Sequence, residues 1–352
     1  MNPGGLNSRP GPRLTTIRVV LEDLGVTTVH TAVTARLLVE TVVLLVAAAW
    51  LAVTLGTLVG QNAWWLVAYL PLLLFQALLF QRLYIIGHEA SHRKLVPKRP
   101  LLNDLVGQLF LLPILIPVRV YRQVHMFHHG FNRKDHHTSA LDVFVSPWPV
   151  TPLVRVYFTA LWYLGVFAGG YFLHSVASVI IFLFVPTRRA VTLSPAFKKW
   201  SGKDRLHAWL QLLACFAFVA LLALTLGGPA WRLVWLYPFL AFAWVWSLLV
   251  YIFHYHTTIG DHARYNVRAL RQHPFFSWLL LNFNQHASHH MYPNIPWYEL
   301  PERRQELPDV FREKNQVSDS YFRTILNQLK GPTIVYREDH DPTPQLFVRW
   351  ED

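Results

Sequence analysis

Three short stretches of this chain carry histidines at helical spacing: His88-Glu89-Ala90-Ser91-His92, His125-Met126-Phe127-His128-His129 and His286-Ala287-Ser288-His289-His290. Imidazole is the commonest protein metal ligand, and residues three or four apart stand on one face of a helix. Eight such rings are too many for one ion, so the pattern points to two metal ions and to redox chemistry. Spacing alone does not name the metal, because imidazole suits iron, zinc, copper and nickel alike. The first stretch also reads as H-E-x-x-H, the helix of zinc peptidases in which Glu is the general base. A zinc peptidase needs three protein ligands and an open position, and it has no use for H-x-x-H-H twice more. A further class is a metal-handling membrane protein without catalysis.

Other residues are secondary candidates. His256, in Phe253-His254-Tyr255-His256-Thr257, closes the last apolar run and is a candidate ninth ligand. His254 and His262 rank below it, His136 and His137 read as solvated loop residues, and His174 as interfacial. Asp142 reads equally as a carboxylate orienting a ligand ring or as a loop cap. The lone Cys215 excludes an intrachain disulfide, a thiolate zinc site and a cysteine-held iron–sulfur cluster.

The elements that must position these histidines follow from the apolar pattern. Residues that are 53% apolar and only 15% charged describe an integral membrane protein. Runs 37–59 and 63–86 are each long enough to cross a bilayer, and Gly60-Gln61-Asn62 joins them as a tight hairpin. Runs 209–226 and 231–250 form a second hairpin around Gly227-Gly228-Pro229-Ala230. Arg and Lys crowd the segments that flank the hairpins and are nearly absent from the tips, which puts the histidine clusters on the cytoplasmic side. No cleavable signal is expected, so the first span would act as an uncleaved anchor. The formal charge of +12 comes with no recognisable nucleic-acid module, and no nucleic-acid partner is expected.

Run 101–118, interrupted by Pro113 and Pro117, suits an interfacial or re-entrant helix. Run 157–185, broken near Gly165, Gly169 and Gly170, suits a long tilted helix or a half-buried hairpin. Residues 301–330 have helical composition, and 331–352 read as an extended tail. The expected fold is all-α: a polytopic membrane protein with about four transmembrane helices in two hairpins, interfacial helices and a cytoplasmic histidine-box cap. Its expected divisions are a cytoplasmic segment 1–36, a membrane domain 37–302 carrying the metal site, and a cytoplasmic helix and tail 303–352. A bacterial inner membrane is the expected location.

Taken together, these residues resemble the membrane fatty-acid desaturase superfamily, di-iron enzymes with three histidine boxes, over about residues 38–302. His88-x-x-x-His92 is similar to the first box in its short form, and His125-x-x-His128-His129, followed by Asn132 and Asp142, to the second. Asn284 through Tyr298, with its Met291-Tyr292-Pro293-Asn294-Ile295-Pro296-Trp297-Tyr298 trailer, is similar to the third. Phe253–Thr257 is similar to a fourth histidine element, which implies His256 as a ligand.

The resemblance implies two iron ions, held by His88, His92, His125, His128, His129, His256, His286, His289 and His290, that use O2 to attack an unactivated C–H bond of a lipid. Removal of a second hydrogen gives an alkene, and oxygen rebound gives an alcohol. Glu89 stands where many desaturases have Asp and where alkane-hydroxylase relatives also have Glu. The implied activity is therefore acyl-lipid desaturation, with a lipid, alkane or carotenoid hydroxylase or ketolase as the alternative. The chain carries no dinucleotide fingerprint, so electrons are expected from a separate ferredoxin, rubredoxin, or cytochrome with its reductase. Basic loops would attract an acidic carrier.

Overall fold

A computed structural model describes residues 31–96, 98–136, 141–304, 307, 320–337 and 339. The first hairpin is α1 (Thr31–Gln61) and α2 (Leu66–Ser91). Its turn is tight because the Asn62 side chain accepts the Trp64 amide at 3.0 Å, which supplies the cap that an uncharged, apolar sequence otherwise lacks.

The second hairpin pairs α8 (Gly202–Leu226) with α9 (Gly228–Leu249). Ser201 and Asp204 cap the start of α8 reciprocally, and α9 carries a π-helical stretch at Arg232–Leu236. These four helices are long and apolar enough to cross a membrane. Val39, Val43 and Val46 on α1, and Leu210, Leu213 and Leu221 on α8, face outward. Such an apolar exterior is stable only against lipid.

Between the hairpins run two bent helix pairs. α3 (Pro100–Leu111) and α4 (Val118–Phe131) meet at 98°. Pro113 and Pro117 lack the N–H a continuous helix would need, and Leu115 turns the chain with a left-handed φ of 59°. α5 (Pro152–Phe167) and α6 (Gly170–Phe184) meet at 85° through Gly169, whose φ of 82° is cheap only for glycine. The 157–185 run is thus a broken pair and not one tilted helix. A short helix, α7 (Thr187–Leu193), leads toward α8.

α2 sits at the centre of the molecule, against α1, α3, α4 and α9. Its lower half is buried in one large apolar core with Phe80, Leu83, Ile86, Leu111, Phe242 and Trp246. Gly107 of α3 lies so close to α2 that an added Cβ would stand 2.3 Å from the Ala90 Cβ, so these helices touch at the level of the first histidine box. Arg82, fully buried on α2, bonds Glu40 at 2.7 Å, Thr41 at 2.8 Å and the Trp278 carbonyl at 3.0 Å. It thereby ties α10 (Pro274–Leu279), the approach to the third box, to the first hairpin.

The polar side is built from α11 (His286–Met291), α12 (Leu300–Arg303), α13 (Tyr321–Asn327) and loops. Beside them a parallel strand pair joins β1 (Val143–Ser146) to β2 (Thr333–Tyr336). The helical expectation for 301–330 holds at 301–303 and 321–327. Residues 305–306 and 308–319 lie outside the described residues, as do 1–30 and 340–352. The extended reading of 331–352 is met at 333–336, and there the chain is not a free tail but a strand hydrogen-bonded to β1, about 190 residues earlier. Pairing of that separation leaves no local trace in a sequence.

Candidate metal centre

The end of α2, helix α4 and helix α11 converge, and each presents its histidines by helical spacing. Five rings form one group, His88, His92, His125, His129 and His289, and four form a second, His128, His254, His286 and His290. Residues four apart share a face, so His88 with His92, His125 with His129, and His286 with His290 each stay within one group. The odd members cross over: His128 leaves the second box for the second group, and His289 leaves the third box for the first. The two H-x-x-H-H boxes therefore bridge both groups, which is the physical use of their extra histidine.

Ring nitrogens point at one another inside each group. The Nε2 atoms of His92 and His125 lie 2.8 Å apart, those of His125 and His129 3.0 Å, and those of His129 and His289 2.9 Å. In the second group the Nε2 atoms of His254 and His286 are 3.2 Å apart. Several imidazoles that turn acceptor nitrogens inward repel one another unless a cation lies between them. A first-row metal with nitrogen ligands at about 2.1 Å holds neighbouring nitrogens roughly 3 Å apart. Among the described residues, the buried Nε2 of His88, Nδ1 of His286 and of His289, and both ring nitrogens of His290 find no hydrogen-bond partner, so the donor set fits metal ions of this kind.

His256 is a correction. It lies outside both groups, exposed, with its ring stacked on Tyr255 at 4.0 Å and its backbone at φ 52°. His254 stands in its place. The helix of α9 ends before this point and the chain leaves by a turn in which the His254 and Tyr255 amides both bond the Tyr251 carbonyl. That turn points residue 254 inward and residue 256 out. The Nδ1 of His254 faces the Asn266 carbonyl at 3.2 Å, leaving Nε2 for the group.

Of the remaining candidates, His174 and His262 are exposed, and His137 lies outside the described residues. Asp142 is the loop cap of its two readings: it pairs with the buried Arg133 and accepts the His256 amide at 2.8 Å. Arg133 also donates to the Thr257 carbonyl at 2.9 Å. This ion pair fixes the turn that aims His254.

Sequence reasoning missed several supports because they carry no metal-ligand chemistry of their own. Arg122 of α4 donates to the Ser91 and Ala90 carbonyls at 3.0 and 2.9 Å and to Asp104 at 2.7 Å, capping α2 where the first box ends. Asn132 and Asn266 clasp each other's backbone, joining the end of α4 to the His254 loop.

Glu89 is fully buried but belongs to neither group. Its Oε1 lies 3.1 Å from His88 Nδ1 and its Oε2 accepts the Trp297 amide at 3.3 Å. A carboxylate that grips the outer nitrogen of a ligand orients that ligand; it is not aimed as a peptidase base. Beside the first group is a narrow cleft walled by Ile85, Leu281, Phe283, Trp297 and Leu300.

Burial also sets protonation. The His92 imidazole is pushed down to about 3 by burial, with the charges of Lys94 and Arg122 acting the same way. Burial likewise holds His254, His286, His289 and His290 well below the ordinary histidine range. Neutral rings are the form that binds metal.

The sequence pattern of the family described as "fatty acid desaturase" matches residues 62–322. The chain is 26% identical over 263 residues to an "sn-1 acyl-lipid omega-3 desaturase (ferredoxin)" of Synechocystis sp., covering 70% of this chain and 69% of the relative. It is 24% identical over 285 residues to an "sn-1 oleoyl-lipid 12-desaturase" of the same organism, covering 73% of each. It is 25% identical over 240 residues to a chloroplastic omega-6 fatty acid desaturase of Arabidopsis thaliana, covering 62% of this chain and 48% of that one.

Proposed function

The chain belongs to the fatty acid desaturase family, an integral-membrane oxidoreductase in that family's line, and on that premise we propose that it introduces a double bond into an acyl chain of a membrane lipid. The observation that carries this reading is the pair of buried histidine groups at the polar ends of membrane-length helices. The first group would hold one iron ion through His88, His92, His125, His129 and His289, and the second would hold another through His128, His254, His286 and His290. When bound, a pair of irons supplies the O2-dependent removal of hydrogen from an unactivated C–H bond.

The protein's own residues prepare that chemistry. Glu89 fixes the His88 ring, the Asn266 carbonyl fixes the His254 ring, and His128 and His289 hold the two groups in register. The cleft walled by Ile85, Leu281, Phe283, Trp297 and Leu300 sets apolar side chains against His88, His286 and His289, the surroundings in which a hydrocarbon substrate would meet the metal site. Acyl-lipid desaturases among the relatives, two of them named for ferredoxin, support a lipid-bound substrate and an external ferredoxin as donor. The basic flanks of the hairpins support a cytoplasmic site.

The test is expression in a host of known lipid composition followed by lipid mass spectrometry. Desaturation makes an acyl chain lighter by two hydrogens, and this result is expected. A chain heavier by one oxygen would assign hydroxylation instead, the outcome Glu89 keeps open, and unchanged lipids in a host with reducible ferredoxin would refute both.

A further inference from the structure

His256 takes no place in either histidine group, yet it is held in a conformation that residues with side chains rarely adopt. Its φ is 52°, fixed by the Asp142 carboxylate on its amide at 2.8 Å, and backbone strain of this kind concentrates at functional positions. The ring is exposed to solvent and stacks on Tyr255 at 4.0 Å and 15°. Two residues back along the chain, His254 is buried in the second group.

Two cationic side chains, Arg268 and Lys330, lie near this spot. Arg268 donates to the Tyr255 carbonyl, and the Tyr255 hydroxyl donates to the Gly331 carbonyl at 2.7 Å, which anchors the exposed Lys330 beside it. Both cations act on His256 electrostatically, and Asp142, the carboxylate among the described residues that acts on it, is fully buried and paired with Arg133.

We propose that the surface made by His256, Arg268 and Lys330 is the docking site of an acidic iron–sulfur electron-carrier protein, and that the run from His256 through Tyr255 to His254 is the electron's entry. The inference rests on the desaturase reading. It follows from the match of the exposed Lys330, with the half-buried Arg268 behind it, to an acidic partner, and from a covalent path only two residues long between solvent and a metal-site histidine. A second copy of this chain, at a net charge of +12, would be repelled from the same patch. At each docking the carrier's reduced cluster loses one electron and the metal site gains one. Two dockings supply a turnover, and no bond or proton changes at His256.

The test uses the full chain in nanodiscs of uncharged phosphatidylcholine, with a plant-type [2Fe–2S] ferredoxin as probe. Binding is measured in both metal-free and iron-loaded protein across a salt series. Lys330→Glu is expected to weaken ferredoxin binding about tenfold and flatten its salt dependence, with iron content unchanged. Lys203→Glu, an exposed charge at the start of α8, is the matched control and is expected to leave binding alone. His256→Asn keeps a residue tolerant of positive φ; it should slow reduction by ferredoxin about tenfold while leaving reduction by dithionite unchanged.

Equal weakening by Lys330→Glu and Lys203→Glu, or by neither, would overturn the docking site. So would loss of binding to vesicles of anionic lipid with ferredoxin affinity intact, which would make the patch a lipid contact. Protein that forms double bonds with ferredoxin yet ignores Lys330→Glu sinks only this proposal. Protein that forms none with any donor sinks the desaturase reading beneath it.

Discussion

Replacing Glu89 with Gln tests whether a carboxylate outside the metal groups governs metal retention. With His88 Nε2 turned to the metal, its Nδ1 carries the proton and donates to Glu89 Oε1, while the Trp297 amide donates to Oε2. Two buried donors thus meet two acceptors. Glutamine supplies one acceptor oxygen, so in either orientation its NH2 faces one of those N–H groups. A buried donor left unsatisfied costs about 1–3 kcal/mol, which corresponds to roughly 5- to 150-fold in affinity at about 1.4 kcal/mol per tenfold. Loss of outer partners of metal-binding histidines in general costs about 10- to 100-fold. The assay is iron per chain of purified Glu89→Gln after equilibration with graded chelator, with a thermal melt to verify the fold. Retention within twofold of the parent would refute the orienting role. Full retention with complete loss of lipid chemistry would instead make Glu89 a group acting on substrate.

Arg133→Met strands the buried Asp142 carboxylate and should destabilise the protein by about 3–5 kcal/mol; Arg133→Met with Asp142→Leu should recover much of that, as read by melting in detergent. Gly107→Ala forces a Cβ against Ala90, and overpacking of this kind costs about 1–3 kcal/mol, so a lowered melting temperature is expected. Because the His92 imidazole is lowered to about 3, its neutral form persists as pH falls and proton competition for the metal begins only near that value. Iron content should therefore stay flat from about pH 8 to pH 5.5, whereas iron loss centred on the ordinary value of about 6.5 would contradict the burial argument. Iron-free protein should behave differently: a depressed folded-state value gives stability that is present above about 6.5 and lost as pH falls below it, so its melting temperature should drop across that same window.

What the sequence made legible was whatever follows from local periodicity. The spacing of His125, His128 and His129 follows from one helix, and the two hairpins follow from apolar length and from Gly60 and Gly227. What it hid depends on contacts across the chain. His254 and His256 are equivalent by composition, and only the turn at Tyr251–Thr257, locked by Arg133 and Asp142 from a distant loop, decides which ring faces inward. Glu89 was visible as part of H-E-x-x-H, but its direction depends on the Trp297 amide more than two hundred residues away. The pairing of Val143–Ser146 with Thr333–Tyr336 is non-local in the same sense. The division of eight box histidines into groups of unlike size required the relative placement of α2, α4 and α11.

The most direct measurement is the iron content of the parent protein, His254→Ala and His256→Ala, purified side by side. The histidine geometry predicts two irons per chain in the parent, the same in His256→Ala, and loss of about one in His254→Ala, where the four-ring group is left with three. Iron lost from His256→Ala and kept in His254→Ala would contradict it.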